Sequence, residues 1–135
     1  MLPEGSLQVT TVSVTSKYLF ATDTSQPNNL AYCFDLRTAR LKSSSIIVSM
    51  EPTLRSISVG EDMHVTTCAD GVWFIQAGVM KDQLKVTRGM FGHYPRTSMT
   101  CLAQAGDYVI SGGVDGYIYV WRIATLRCTK ALKVH

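Results

Sequence analysis

Short segments of alternating apolar and polar residues recur along this chain at an interval of 45 residues. When the sequence is moved by that interval against itself, residues 55–58 align with residues 100–103 without a gap. The Asp-Gly pair at 70–71 then falls on the Asp-Gly pair at 115–116. A period of this length, built from short strand-like segments, is typical of the blades of a β-propeller.

The most C-terminal copy shows four segments most clearly. The pattern predicts strands over residues 99–104, 108–112, 117–122 and 127–132. Gly106-Asp107 and Asp115-Gly116 lie between the first three, and such pairs readily adopt the positive φ angles of tight hairpins.

Two further copies lie upstream. The middle copy has Gly60-Glu61-Asp62 and Asp70-Gly71 at the turn positions, and the first copy needs three extra residues between Asp23 and Asn29. All three are rich in Val, Ile, Thr, Tyr and Phe, and no segment longer than about ten residues has a helical period. We therefore predict an all-β chain of about three four-stranded antiparallel blades, over residues 7–48, 53–88 and 97–133.

The third copy resembles a WD40 repeat. Residues 111–122 read Ser-Gly-Gly-Val-Asp-Gly-Tyr-Ile-Tyr-Val-Trp-Arg, similar to the family signature Ser-Gly-x-x-Asp-Gly-x-Ile-x-Val-Trp-Asp. In WD40 blades a Trp, an Asp, a Ser or Thr and a His form a hydrogen-bonded network. The resemblance implies this structural role for Ser111, Asp115 and Trp121, with an incomplete network because the His position falls near Arg96.

The two upstream copies depart from this pattern. The middle copy keeps Thr66 and Asp70, to which the resemblance extends the same structural role, but has Gln76 at the Trp position. The first copy has Phe34 there, followed by Asp35. The WD40 network is thus expected to be weakest in these two blades.

A narrower resemblance begins between the second and third copies. Residues 85–94 read Lys-Val-Thr-Arg-Gly-Met-Phe-Gly-His-Tyr, similar to the Lys-x-Gly-(Ile/Val)-Phe-Gly-Lys stretch of the echinoderm microtubule-associated-protein-like (EMAP-like) family. The same order of a strand, Gly-Asp and Gly-x-Ile-x-Val-Trp follows here. Met90 and His93 depart from the usual residues. The resemblance implies a cytoplasmic, cytoskeletal protein whose partner is tubulin or the microtubule.

The composition excludes some classes of protein but does not indicate a function. Of the 135 residues, 46% are hydrophobic and 17% charged, with a net charge of +3 from scattered Lys and Arg. No stretch has the length of a membrane-spanning helix, and the first residues lack the character of a signal peptide, so we expect a cytoplasmic location without membrane binding. With no CxxC spacing, Cys33, Cys68, Cys101 and Cys128 are interpreted as reduced cysteines packed beside strands.

Candidate chemistry is sparse. His64, His93 and His135 have no partner at a metal-binding or catalytic spacing, and the matching places of Asp70 and Asp115 in two repeats indicate turn residues rather than a carboxylate pair. The glycines lie in β-turns, with no phosphate-binding loop and helix. We therefore predict no enzymatic activity, no cofactor and no metal site.

One small basic and aromatic cluster stands out on the connection between the second and third copies. Arg88, His93, Tyr94 and Arg96 are interpreted as possible contacts for an acidic partner, such as a tubulin surface or an RNA backbone, although a solvated loop is the plainer interpretation. The leading hypothesis is a non-enzymatic WD40 interaction scaffold associated with microtubules, with protein partners rather than nucleic acid. The alternative is a WD40 adaptor in a ubiquitin-ligase or signalling complex.

Three blades leave two sheet faces uncovered, whereas propellers close with about 4 to 8 blades. Further blades of a longer chain, or a second copy that completes a six-bladed ring with two-fold symmetry, would cover them. We expect one of these two arrangements.

Overall fold

The protein is described by a computed structural model that covers residues 9–23, 29–47, 53, 55–69, 71–80 and 83–134. These residues form twelve strands and the connections between them. They are β1 Val9–Val14, β2 Tyr18–Asp23, β3 Asn29–Asp35, β4 Leu41–Ile47, β5 Ser56–Val59, β6 Met63–Cys68, β7 Gly71–Met80, β8 Gln83–Arg88, β9 Met99–Ala105, β10 Tyr108–Gly113, β11 Tyr117–Arg122 and β12 Arg127–Lys133. The all-β, propeller-type prediction is confirmed.

The strands form three consecutive antiparallel groups of four, here called blade 1 (β1–β4), blade 2 (β5–β8) and blade 3 (β9–β12). In blade 3, each observed strand lies within one residue of its predicted bounds. The outer bounds predicted for blade 1, at residues 7 and 48, and the extra residues 24–28 of its longer connection lie outside the described residues. The blade boundaries stay a prediction.

The turns follow the chemistry that the sequence indicates. Gly106, at φ +57°, opens the two-residue connection from Ala105 to Tyr108. Two non-glycine residues also have a positive φ, Ala39 at 59° and Leu126 at 56°. Each donates its backbone N–H to the carbonyl four residues earlier, at Asp35 and Arg122 respectively. The turn before the fourth strand is thus repeated in blades 1 and 3.

The first strands of the blades, β1, β5 and β9, lie side by side at the centre of the assembly. The Ser56 hydroxyl in β5 donates to the carbonyl of Val12 in β1 over 3.1 Å. At the periphery β4 and β8 meet at a single parallel pair, Ser44 opposite Gln83. Next to it, the Ser45 hydroxyl bonds both the N–H and the C=O of Leu84. This arrangement of inner and outer strands is that of adjacent propeller blades.

Two apolar cores hold the blades together. Between blades 1 and 2 the core contains Phe20, Ala31, Cys33, Cys68, Trp73, Ile75, Ala77 and Leu84. Between blades 2 and 3 it contains Val59, Met63, Val65, Val72, Phe74, Phe91, Met99, Val109, Tyr119, Trp121 and Cys128. Because the apolar residues alternate along each strand, the two faces of blade 2 supply both cores.

Blades 1 and 3 each have a second face that no described residue covers. On the open face of blade 1, the cross-strand row runs through Val14, Leu19, Phe34 and Leu41. On the open face of blade 3, Ile118 lies opposite Leu132, and Ile110 opposite Val120. Val14, Leu41 and Leu132 are about half exposed. Both faces therefore have the apolar pattern of blade-to-blade contacts.

The cysteines do not all behave as expected. Cys33, Cys68 and Cys128 are buried in the two cores, and all four thiols are free. Cys101 is exposed, because its position in β9 pairs with Gly112 on the open face of blade 3. The expectation of a packed cysteine is therefore wrong for Cys101. No helix among the described residues has the length and apolar character to cross a membrane.

Candidate protein-interaction site

The connection from blade 2 to blade 3 is held in place by backbone pairing. Gly89 N–H donates to the Val72 carbonyl over 2.8 Å. Met90 N–H then donates to the Leu126 carbonyl over 2.9 Å, and its own carbonyl accepts from Cys128 N–H over 2.7 Å. Met90 is thus paired in parallel with Arg127 at the edge of β12. The start of the connection is therefore bonded to both blade 2 and blade 3.

Phe91 packs into the core between blades 2 and 3 and thereby holds the connection in place. Its ring centroid lies 4.9 Å from that of Trp121 and 5.9 Å from that of Tyr119, both in edge-to-face geometry. Phe91 is buried, whereas the preceding residue Met90, which pairs with Arg127, is about half exposed.

Gly89 is required by the close approach of two rings. A Cβ atom at this position would lie 2.8 Å from Trp121 Cζ3 and 3.0 Å from Phe74 Cε2. Both rings are fully buried, so they have little room to move. The first glycine of the segment that resembles the EMAP-like stretch therefore has a packing role here.

A cleft of about 430 Å³ opens beside this connection. It is lined by Arg88, Gly89, Met90, Phe91, Gly92, Tyr94, Arg96 and Arg127. Three of the eight residues are arginines and none is acidic. Of the four residues that the sequence singled out, Arg88, Tyr94 and Arg96 line this cleft and His93 does not.

Arg88 differs from the rest of that cluster. It is the last residue of β8, and its guanidinium carbon lies 4.8 Å from the centre of the Trp73 ring. Trp73 belongs to the core between blades 1 and 2, and Arg88 is its cross-strand partner. Because a cation over an indole face is stabilised there, Arg88 has a packing role. Arg88 therefore lies on a strand rather than on the connection, and its contact with a partner stays a prediction.

The other three predicted contact residues lie on the connection itself. The His93 and Tyr94 rings are 4.2 Å apart, and Tyr94 also meets Tyr119 edge to face, with 6.4 Å between centroids. Tyr94 is therefore half-buried, whereas His93 and Arg96 are exposed. Partner contact by His93, Tyr94 and Arg96 stays a proposal.

Sequence reasoning missed Arg127 and Met90 as members of this cleft. They are far apart in the sequence and meet only through the parallel pairing of the connection with β12. Arg127 is exposed, and its cross-strand partner in β11 is Arg122, also exposed. No local pattern in the sequence marks this neighbourhood.

The predicted WD40 network of blade 3 is divided into two parts. The Trp121 indole N–H donates to Ser111 Oγ over 2.7 Å, and the Ser111 hydroxyl points to Met99 Sδ at 3.2 Å. Met99 thus ends the chain of contacts that starts at the Trp121 indole. Trp121, Ser111 and Met99 are all fully buried.

Asp115 belongs to the second part. Its carboxylate accepts the Tyr119 hydroxyl over 2.5 Å and the Tyr117 backbone N–H over 3.1 Å. Burial, followed by the hydrogen bond and charge of Asp115, raises the pKa of the Tyr119 hydroxyl. Asp115 therefore fixes the turn and the start of β11 rather than bonding the Trp121–Ser111 pair.

In blade 2, Thr66 makes a different hydrogen bond from that of Ser111 in blade 3. Its hydroxyl donates to the Arg55 carbonyl over 3.0 Å, next to the start of β5. Asp70, assigned the same structural role, lies outside the described residues. Gln76 pairs with Met63 in the ladder where a network tryptophan would stand. The network role of Thr66 and Asp70 stays a prediction.

His64 is fully buried between blades 1 and 2. Its ring is bonded by Ser13 Oγ at Nδ1 (2.5 Å) and by Thr11 Oγ1 at Nε2 (3.3 Å), and it stacks on Phe20. Burial lowers the pKa of His64 from 6.5 to about 4, so it is neutral in the folded chain. Among the described residues, no three His, Cys, Asp or Glu side chains cluster in a way that would hold a metal ion.

No protein-family model matches the sequence, and no curated protein is detectably similar to it. Solved structures are similar in fold. The β-propeller domain of Cps50 (Swd1) from Myceliophteria thermophila matches 98% of this chain with a TM-score of 0.72 and 16% identity. The Dos1 propeller matches 94% of the chain with a TM-score of 0.72 and 12% identity. The chain folds as blades of a β-propeller.

The chain corresponds to only part of these propellers. It covers 47% of the Cps50 domain and 34% of the Dos1 propeller. The computationally designed protein Ika4 matches all of this chain with a TM-score of 0.70 and 18% identity, and 78% of its own length is covered. At these identities the likeness shows the propeller fold alone.

Proposed function

We propose that this chain is a non-enzymatic, WD40-type protein-interaction scaffold whose partner is tubulin or the microtubule, in the cytoplasm and on the cytoskeleton. The observation that carries the proposal is the connection between blades 2 and 3. It is rigidly anchored by Met90 and Phe91, and it presents exposed cationic and aromatic side chains beside an open cleft. A preorganised surface of this kind lowers the entropic cost of binding a partner.

The tubulin partner is supported by the segment at residues 85–94, which resembles the EMAP-like stretch. Its phenylalanine and first glycine pack against Trp121. The segment is therefore part of the blade architecture and holds the neighbouring His93, Tyr94 and Arg96 in a defined place. A net charge of +3 suits an acidic partner surface without the strong basic field typical of nucleic-acid binding.

Co-sedimentation with polymerised tubulin tests this proposal. We expect the chain to pellet with microtubules at low salt and to be released as salt rises, because contacts between exposed charges are screened. Absence from the pellet at low salt would refute microtubule binding. Recovery instead with a ubiquitin-ligase or signalling complex would favour the adaptor function.

We also propose that the open faces of blades 1 and 3 are covered in the functional assembly, either by further blades of a longer chain or by a second copy. The cross-strand rows Val14–Leu19–Phe34–Leu41 and Ile118–Leu132 support this, since they match the apolar rows inside the two cores. Light scattering of the chain separates the two arrangements. A dimer supports a six-bladed ring of two copies, and a monomer supports further blades.

A further inference from the structure

The cleft between blades 2 and 3 has two exposed cationic side chains that are free to meet a ligand. Arg96 lies on the connection and Arg127 at the start of β12, and both line the cleft. Within the described part of the chain, neither has a carboxylate within 4.0 Å. Arg88, the third arginine of the lining, stacks on Trp73 instead.

The strand register places two positive charges opposite each other beside the cleft. Arg122 is the direct cross-strand partner of Arg127. Like charges in this position repel one another and weaken the sheet. A bound anion near Arg127 would relieve that repulsion, so the folded chain is biased towards binding one.

The remaining walls are largely apolar. Met90 is about half exposed, and Tyr94 is held by its contacts with His93 and Tyr119. A flexible thioether beside an aromatic ring accepts apolar side chains of varied shape. A cleft that combines such walls with two arginines fits a peptide that carries acidic and apolar groups, rather than a bare anion.

We propose that this cleft binds an acidic peptide segment of a partner protein, with Arg96 and Arg127 contacting its carboxylates. The inference deepens the scaffold function proposed above, because it assigns a ligand class to that same connection. A carboxylate-bearing peptide is favoured over RNA because the basic residues are few and local. Extended single-strand RNA binding requires a basic groove that follows the backbone, with several stacking platforms.

Blade 1 supplies a matched control residue. Arg40 follows Ala39, at φ 59°, just as Arg127 follows Leu126, at φ 56°. Both arginines are exposed; Arg127 is the first residue of β12, and Arg40 directly precedes β4. Arg40→Glu therefore makes the same charge change in the same local geometry, away from the cleft.

Fluorescence anisotropy with a labelled peptide, Glu-Glu-Leu-Glu-Glu, tests the proposal, with Gln-Gln-Leu-Gln-Gln as the neutral probe. We expect Arg96→Glu and Arg127→Glu each to weaken binding of the acidic peptide about tenfold, as for loss and reversal of an exposed ion pair. Arg40→Glu should weaken it less than about twofold. If the reversed charge disturbs folding, Arg96→Gln and Arg127→Gln replace these variants in the binding measurement. Their unfolding temperatures should be unchanged.

Equal effects of Arg40→Glu and Arg127→Glu would overturn the proposal, as would equal binding of both peptides. Tighter binding of a ten-nucleotide uridine RNA at the same arginines would also overturn it. Failure to pellet with tubulin while the acidic peptide still binds through Arg127 would refute the microtubule partner and leave the cleft intact. The two proposals are therefore separable.

Discussion

Trp121 donates its indole N–H to Ser111 Oγ over 2.7 Å, and both side chains are fully buried between blades 2 and 3. The hydroxyl in turn points to Met99 Sδ. A sulfur is a weak acceptor, so the bond to tryptophan is the stronger part of this chain of contacts. The pair provides a hydrogen-bond acceptor for the indole N–H of a fully buried tryptophan.

Ser111→Ala should lower the free energy of unfolding by about 1–3 kcal/mol, because it leaves the indole N–H buried without an acceptor. Trp121→Phe removes the donor as well, so the double variant should lose less than the sum of the two single variants. Chemical denaturation of the four proteins gives this coupling energy. Strict additivity of the two substitutions would contradict a direct bond between them.

Gly89→Ala should destabilise the chain by about 1–3 kcal/mol, because its methyl group would be forced against the rings of Trp121 and Phe74. Gly112→Ala is the matched control. Its added Cβ would lie 2.6 Å from Cys101 Sγ, an exposed side-chain end that can rotate away, so we expect a smaller loss. Thermal unfolding of the two variants compares them, and equal losses would argue against close packing at Gly89.

The strands and turns of blade 3 were predictable because they depend on local chemistry. Alternating apolar residues and the Gly106-Asp107 and Asp115-Gly116 turns place β9 to β12 within one residue. The pairing of Met90 with Arg127 was not predictable in this way. It depends on how blade 2 stacks on blade 3, and no residue pattern near either position encodes it.

The place of Arg88 on a strand was visible in the sequence, although the residue was assigned to the connection. Leu84, Val86 and Arg88 alternate along β8, so they share the face that packs towards blade 1. Assigning Arg88 to the connection overlooked this alternation. In the structure, Arg88 belongs to β8 and pairs with Trp73 on β7.

The stability of the chain should fall as the pH drops from 6.5 towards 4, because of His64. Its pKa is lowered to about 4 by burial, so the unfolded chain takes up a proton in this range while the folded chain does not. The stability is therefore fully present above pH 6.5. A shift of this size corresponds to a loss of about 3 kcal/mol at the lower end.

Denaturant titrations at several pH values check this expectation. His64→Asn removes the titrating ring, so the variant should be less stable at neutral pH but should lose less on acidification between pH 6.5 and 4.5. His93→Asn, on the exposed connection, is the control. An unchanged pH slope in His64→Asn would show that another group controls the acid response.

Cys101 should be the one fast-reacting thiol of the native chain. It is exposed on the open face of blade 3, whereas Cys33, Cys68 and Cys128 are buried, and burial raises the pKa of the Cys33 and Cys128 thiols. The thiolate is the reactive form, so burial and a raised pKa both slow the core thiols. Titration with a chromogenic disulfide should show a rapid phase that Cys101→Ser abolishes.

The same thiol reports whether another blade covers this face. Cys101 pairs with Gly112, and Ile118 on the other side of Gly112 faces Leu132 in the same apolar patch. If a second copy completes the ring, the rapid phase should slow as protein concentration rises and the dimer forms. Leu132→Glu, which places a charge in that patch, should restore rapid reaction at high concentration. A rate independent of concentration in a protein that scatters light as a dimer would place the dimer contact elsewhere.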